Sequence, residues 1–354
     1  MKIGITADLH LTSRENHPDR SNTFINILQQ CKEEKVEQLV IAGDLFDRDL
    51  ANHNEFEDIC KASEFSSIQV LIIPGNHDPD INNTQIITDN VRIFDQPSWY
   101  KFDQGWEALF IPYRDSKVMG QIIEEQINNW GGGRWVLIGH GDWSENLNEI
   151  NLYEGGRVYM PLTRKDIEIF KPNLVFLGHI HAPKQMGSLY YAGSPCPIDT
   201  SETGYRRFLT LDTETGKIDS ARIKNETLYF SADLLIMPME DETEFVRHQI
   251  EVCKQTWEID PEDLDRAKIR VSFYGYSNNR RNLLKTIKAE LQGFEFLQEL
   301  DISQVYIADD VEKNFMVGKF KEELEQVDYP INKEDEPSER DVLLKAMQLI
   351  YGRK

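Results

Sequence analysis

The sequence predicts an α/β protein, with a main unit of parallel strands carrying helices on the sheet faces and then a smaller α+β unit. Three observations predict it. Apolar runs of strand length alternate with helix-period segments through about the first half of the chain. Five of these runs, Ile3 to Ala7, Leu39 to Ala42, Val70 to Pro74, Trp135 to Ile138 and Leu174 to Leu177, are followed at once by Asp, Asn or His. From about Leu234 the strand and helix rhythm starts afresh.

The elements follow in order. Strand 2–7 leads into a loop with Asp8 and His10, and Phe24, Ile27, Leu28 and Cys31 fall at helical spacing within a helix over about 19–34. Strand 38–42 delivers Asp44, a helix near 54–64 follows, and strand 69–73 delivers Asn76 and His77. That βαβ rhythm implies parallel strands. Shorter strands fill 91–112, a helix runs over about 116–129, and Gly131-Gly132-Gly133 turns into strand 134–138 ahead of His140. Thr163 can cap a helix ending before Pro172, and strand 173–177 leads to His179 and His181. Leu189 to Ala192, Arg206 to Asp212 and Ala221 to Tyr229 read as successive antiparallel strands.

The second unit reads as strand 234–238, helix 242–257, strand 268–274, helix 279–291, strand 302–307 and helix 311–327. The boundaries expected are 1–232 for the main domain, 233–328 for the smaller one, 329–337 for an acidic linker with Pro330 and Pro337, and 338–354 for a last helix. Ser338 with Asp341 resembles an N-cap, and Val342, Leu343, Ala346, Met347 and Ile350 form an apolar stripe. Such a stripe after a linker suggests docking into a partner's groove; folding back on its own chain is the alternative.

Composition narrows the classes. The first strand begins at Lys2 and no apolar run nears the roughly 20 residues of a membrane span, so a soluble, cytoplasmic protein without a membrane role is expected. Cys31, Cys60, Cys196 and Cys253 stand far apart with no CxxC spacing, which reads as free thiols, mostly in the core. The net charge of −22 sits awkwardly with nucleic-acid binding, which draws on Lys and Arg.

The loops after the five runs carry the chemistry. Ligand sites in open α/β sheets gather at the carboxyl ends of strands, so Asp8, His10, Asp44, Asn76, His140, His179 and His181 should meet in one crevice. Hard oxygens mixed with imidazoles suit divalent cations that bind phosphate oxygens and activate water. Seven ligands suit two cations sharing one carboxylate, and Asp44, alone on a middle strand, is the natural bridge. His77 follows a residue that already fills a ligand position, so it is placed to act on the leaving oxygen. Asp78 reads either as its orienter or as a turn residue before Pro79. Five of the eight histidines lie in these loops; His17, His53 and His248 read as surface residues.

The set Asp8-x-His10, Gly43-Asp44, Gly75-Asn76-His77-Asp78, Gly139-His140 and Gly178-His179-x-His181 resembles the signature of calcineurin-like metallophosphoesterases. A narrower resemblance is to the SbcD type, the bacterial and phage branch of the Mre-eleven nucleases. It rests on Asp44-Leu45-Phe46-Asp47, on Tyr191-Ala192-Gly193-Ser194-Pro195 and on Glu202-Thr203-Gly204-Tyr205-Arg206-Arg207-Phe208. The resemblance implies a four-layer α/β fold, two mixed β-sheets flanked by helices, with a smaller α+β capping domain. It implies two divalent ions, Mn²⁺ or otherwise Mg²⁺, one on Asp8, His10, Asp44 and His181 and the other on Asp44, Asn76, His140 and His179. It further implies a DNA nuclease, a 3′ to 5′ exonuclease and single-strand or hairpin endonuclease, working as a homodimer bound to an SbcC-type (Rad-fifty-like) coiled-coil ATPase. The partner would take the last helix. Archaeal and eukaryotic relatives carry a second His where this chain has Asp47, so that residue's role is not carried over. DNA contacts are expected from Arg206 and Arg207 and from Arg281, Lys285 and Lys288, which fall on one helix face; a solvated face is the alternative. The alternative function is hydrolysis of a small phosphodiester, nucleotide or phosphoprotein.

Overall fold

A strand that is apolar at every position must be covered on both faces, and the first unit of the computed structural model shows how. The structure describes residues 1–48, 52–145, 157–327 and 338–352. In chain order, β1 (Lys2–Thr6) is followed by α1 (Pro18–Glu33), β2 (Val36–Ala42), α2 (His53–Lys61) and β3 (Gln69–Ile73). Next come β4 (Val91–Ile93), β5 (Ser98–Lys101), β6 (Trp106–Ile111), α3 (Met119–Gln126), β7 (Arg134–His140), β8 (Trp143–Ser144) and β9 (Leu162–Thr163). α4 (Arg164–Phe170), β10 (Leu174–Gly178), β11 (Lys184–Met186), β12 (Leu189–Tyr191), β13 (Arg207–Asp212) and β14 (Ile218–Arg222) complete it.

Two six-stranded mixed sheets result, in the orders β14-β13-β1-β2-β3-β4 and β11-β12-β10-β7-β6-β5. Their centres are parallel: β1, β2, β3 and β4 in one, β6, β7, β10 and β12 in the other. Successive side chains alternate between the faces. Val40 and Ala42 of β2, Val136 and Ile138 of β7, and Phe176 of β10 meet in the layer between the sheets. Leu39 and Ile41 turn outward to Phe24, Ile27 and Leu28 of α1 and Phe56 of α2. Trp135, Leu137, Val175 and Leu177 turn outward to Met119 and Ile123 of α3. Helix, sheet, sheet and helix make four layers, in which two-sided burial accounts for the apolar runs.

Two expectations are corrected here. The three strands from Leu189 are not successive antiparallel neighbours: β12 pairs in parallel with β10, whereas β13 pairs antiparallel with β1 in the other sheet. The strand read at 221–229 divides, because β14 ends at Arg222 and a new strand begins at Leu228.

The chain separates into Met1–Glu226 and Thr227–Lys354. The boundary expected at 232/233 falls inside β15 (Leu228–Ile236). The second unit continues with α5 (Glu242–Trp257), β16 (Ala267–Ser277), α6 (Arg280–Glu290), β17 (Glu295–Phe296), β18 (Val305–Ile307), α7 (Val311–Leu324) and α8 (Glu339–Tyr351). All its registered strand pairs are parallel, with β16 between β15 on one side and β17 and β18 on the other. The expected linker 329–337 lies outside the described residues.

The last helix begins as its sequence predicts, with Ser338 and Asp341 forming a reciprocal cap. Its expected role as a free docking element is corrected. Leu343 and Met347 are buried against Leu235, Met237, Tyr276 and Val317 of the same unit, with Ile350 at the cluster's edge and Val342 and Ala346 half-buried. Tyr351 stacks on Tyr276 with ring centroids 4.5 Å apart. The stripe covers its own domain's core because β16 and α7 leave that core open on this side.

Candidate metal centre

The five loops are fixed by backbone bonds before any ligand is considered. Asp8, His10 and Leu11 donate their amides to the carbonyls of Gly43, Asp44 and Leu45, which lashes the loop after β1 to the loop after β2. Asp8, His10, Asp44 and His179 sit at positive φ, of 55°, 44°, 51° and 101°. Non-glycine residues rarely adopt that backbone, and their concentration at one place is stored strain of the kind found at working sites. Glycines make the close approach possible. At Gly43, with φ of 93°, a Cβ would lie 2.1 Å from His140 Nδ1; at Gly178 it would lie 2.0 Å from the Ala42 carbonyl oxygen of the facing sheet.

Seven side chains from both sheets converge on one crevice. His10 Nε2 and His181 Nε2 face each other at 3.2 Å, with Asp44 Oδ2 3.7 Å from His10 Nε2. His140 Nε2 and His179 Nδ1 both point at Asn76 Oδ1, at 2.8 and 3.0 Å, and His140 Nε2 is 3.3 Å from Asp44 Oδ2. Asp44 therefore stands between two sets. Ligand atoms of Asp8, His10 and His181, of His10, Asp44 and His77, and of Asp8, Asp44 and His140 form groups with every atom within 4.8 Å of the others.

The ligands are oriented from behind. The Asp8 carboxylate accepts the His179 amide at 2.9 Å, and Asp44 Oδ1 accepts the His77 amide at 2.8 Å. His140 Nδ1 donates to the Ala42 carbonyl at 2.9 Å, which leaves Nε2 with its lone pair toward the crevice. His179 Nε2 is buried and has no hydrogen-bond partner among the described residues; the Asp142 carboxylate lies 3.8 Å away.

Electrostatics fits cations. Burial drives His10 and His179 down to about 3, so both are neutral imidazoles with a free lone pair. Burial lifts Asp8 to about 6 against the pull of His140 and His181. Burial also acts to raise Asp44, but His140, His10 and the His77 amide outweigh it and hold the carboxyl below the usual range. Burial opposes charge on His140, yet Asp44 and Asp8 lift it to about 9. Lone pairs of neutral imidazoles gathered around buried carboxylates and an amide oxygen make a donor set suited to divalent cations.

His77 is the one histidine of the GNHD loop and lies at the crevice mouth, its ring 4.5 Å from that of His10. Its orienting partner is Asp47, whose Oδ1 lies 3.2 Å from Nδ1, and Arg20 reaches Asp47 Oδ2 at 3.3 Å. Asp78, expected as the orienter, does not reach the ring. Its two oxygens accept the amides of Gly75 and Phe46 at 2.7 and 3.0 Å, so it ties the loops after β2 and β3 together, and burial pushes it up to about 7. Chain order points at the adjacent residue; the neighbour in space comes from the preceding loop.

Arg206 is corrected too. It is 2 % exposed and spends its guanidinium on the Ser194 carbonyl at 2.7 Å and the His181 carbonyl at 2.5 Å, so no face remains for DNA. Arg207 is half-buried on β13, and Arg281, Lys285 and Lys288 lie exposed along α6. His17 donates to or accepts from Thr12 Oγ1 at 2.9 Å, and His53 lines a depression of about 410 Å³ with Phe46, Arg48, His77, Ile81 and Gln85. Cys31, Cys60 and Cys196 are buried and Cys253 half-buried, all free thiols.

Two mixed sheets whose strand ends gather Asp, Asn and His define a metal-dependent hydrolase. The calcineurin-like phosphoesterase family model matches residues 1–183, over half of the chain, and the protein belongs to that family. Among curated proteins it is similar to the SbcD component of the nuclease SbcCD from Staphylococcus epidermidis (strain ATCC 12228 / FDA PCI 1200), 24% identical over 255 residues, or 62% of this chain and 67% of that one. Among solved structures it matches purple acid phosphatase PPD1 from yellow lupin (Lupinus luteus) seeds, at 14% identity and a TM-score of 0.38, over 63% of this chain and 53% of the phosphatase. Another solved chain is matched over 99% of its length and 63% of this one, at 12% identity and a TM-score of 0.41. No helix among the described residues is long and apolar enough to cross a membrane.

Proposed function

We propose that this phosphoesterase is the nuclease subunit of an SbcCD-like complex, hydrolysing DNA phosphodiesters with two divalent cations, manganese for preference. The observation that carries the chemistry is Asp44 standing between the His10/His181 pair and the Asn76/His140/His179 cluster. Asp8, His10, Asp44 and His181 would hold one ion, and Asp44, Asn76, His140 and His179 the other. When bound, two such ions supply Lewis-acid charge at phosphorus and water of lowered pKa. His77 has Nδ1 committed to Asp47, so it holds at Nε2 the proton that the leaving oxygen takes. The similarity to the staphylococcal nuclease component supports DNA as substrate and a coiled-coil ATPase as partner.

The reading of the partner surface shifts with the burial of α8. Val311, Phe315 and Met316 of α7 are 80, 66 and 55% exposed, so α7 rather than α8 is the face we assign to the partner. A Phe315→Glu variant should lose co-purification with the ATPase while keeping metal-dependent phosphodiesterase activity. The second unit would position DNA through Arg281, Lys285 and Lys288, and the active form would be a homodimer. With a net charge of −22, the protein alone should bind DNA weakly and the complex much more tightly.

That charge equally favours a second reading, a small phosphodiester or nucleotide as substrate. Digestion of an end-labelled linear duplex with Mn²⁺, alongside bis-p-nitrophenyl phosphate, separates them. The nuclease reading predicts shortening of the duplex, stimulated by the ATPase partner. Turnover of the small ester with an intact duplex, partner present, would refute it.

A further inference from the structure

We propose that Glu202 is a positioning residue for His181, held for that task by Ser194 and Arg206. This rests on the reading of His181 as a cation ligand. Glu202 Oε1 lies 2.7 Å from His181 Nδ1, so the carboxylate fixes the proton on Nδ1 and aims Nε2 at the crevice, where it faces His10 Nε2. The other oxygen is fully engaged: Oε2 accepts Ser194 Oγ at 2.6 Å and the Ile198 amide at 3.3 Å, with Arg206 Nη2 at 3.4 Å.

The brace is closed on itself. Arg206 donates Nη2 to Ser194 Oγ at 2.5 Å as well as to the His181 carbonyl, and the Ser194 amide donates to the same carbonyl at 3.1 Å. The backbone of His181 and the side chain of His181 are thus gripped by one buried network from residues 194–206. Gly193, at φ of 76°, permits the turn that brings it there; a Cβ would lie 2.6 Å from the His181 carbonyl oxygen. Among the metal-centre imidazoles, His140 gets its tautomer from a neutral carbonyl, whereas His181 gets it from a carboxylate. A carboxylate behind an imidazole raises its basicity, and loss of such a partner typically costs about 10- to 100-fold in metal affinity. The motif Gly193-Ser194 with Glu202 and Arg206 is then explained by what it does to one ligand, not by contact with substrate.

The test compares wild type with Glu202→Ala and the isosteric Glu202→Gln, which retains an acceptor for Ser194 if the alanine variant fails to fold. Mn²⁺ is titrated by calorimetry and by electron paramagnetic resonance, and the histidine ¹⁵N spectrum is recorded without metal. Wild type should take up two ions and show His181 protonated at Nδ1. Glu202→Ala should bind one ion normally and the other about 10- to 100-fold more weakly. At one equivalent per site the spectrum should then be that of an isolated Mn²⁺ where wild type shows a spin-coupled pair. Glu202→Gln should lie between, with the His181 tautomer signal broadened or reversed. Two ions bound to either variant with wild-type affinity and an unchanged tautomer would overturn the role of Glu202 while leaving His181 a ligand. No Mn²⁺ uptake by wild type would overturn the ligand reading itself.

Discussion

Replacing Asp47 with Asn removes a charge behind His77 while preserving shape, and the structure gives the size of the effect. The Asp47 Oδ1 to His77 Nδ1 contact is 3.2 Å, and the two side chains are 30 and 27% exposed. Asp47 also serves Arg20, itself buried and bonded to the His10 carbonyl at 2.6 Å, so Asn at this position keeps an oxygen for both neighbours. A charge-assisted bond this open to water contributes about 1 kcal/mol, which is roughly fivefold in rate. His77→Gln should cost about 10²- to 10⁴-fold, the usual contribution of a general acid. The double variant should be no slower than His77→Gln alone, because Asp47 acts only through the ring. The assay is kcat and KM for Mn²⁺-dependent hydrolysis of bis-p-nitrophenyl phosphate, with Mn²⁺ affinity measured in parallel and expected unchanged in Asp47→Asn. A full additional fivefold loss in the His77→Gln background, or a drop in metal affinity, would refute the dyad.

Other consequences are checked more briefly. Gly178→Ala places a methyl 2.0 Å from the Ala42 carbonyl oxygen and 2.8 Å from His140 Nδ1, so it should lower stability by about 1–3 kcal/mol and abolish tight Mn²⁺ binding, read by thermal unfolding and calorimetry. Met347→Ala, at a side chain 0% exposed, should destabilise the second unit by about 2–5 kcal/mol in hydrogen exchange of α7 and α8; a change near zero would mean that α8 does not pack there. His140, lifted to about 9 by Asp44, carries a proton at neutral pH that a cation must displace. Binding should therefore release a proton and tighten by up to about tenfold per pH unit as pH rises from 7 toward 9; calorimetry in buffers of different ionisation enthalpy measures it.

The strand ends were legible because two chemical patterns coincide there. A run such as Val70 to Ile73 must be buried on both faces, and Asn76 and His77 directly after it have no place in a core, so they mark the loop where the sheet opens. Pairing across space was not legible. Asp78 follows His77 in the chain but bends inward to two backbone amides, and Asp47, thirty positions earlier, takes the ring. Arg206 shows the same limit: its charge suggested phosphate, but a guanidinium can equally close a buried loop when carbonyls and a carboxylate surround it. The stripe of α8 told that something apolar covers Leu343 and Met347, without telling whose surface it is. Nor could alternation within β12 and β13 reveal that they belong to different sheets, since the pattern of a strand carries no address.

The claim that two cations share Asp44 is tested most directly by anomalous diffraction from Mn²⁺-soaked crystals. It predicts two peaks about 3.5–4 Å apart, one among Asp8, His10 and His181 and one among Asn76, His140 and His179, with Asp44 touching both. A single peak that Asp44 does not touch, or none, would contradict it.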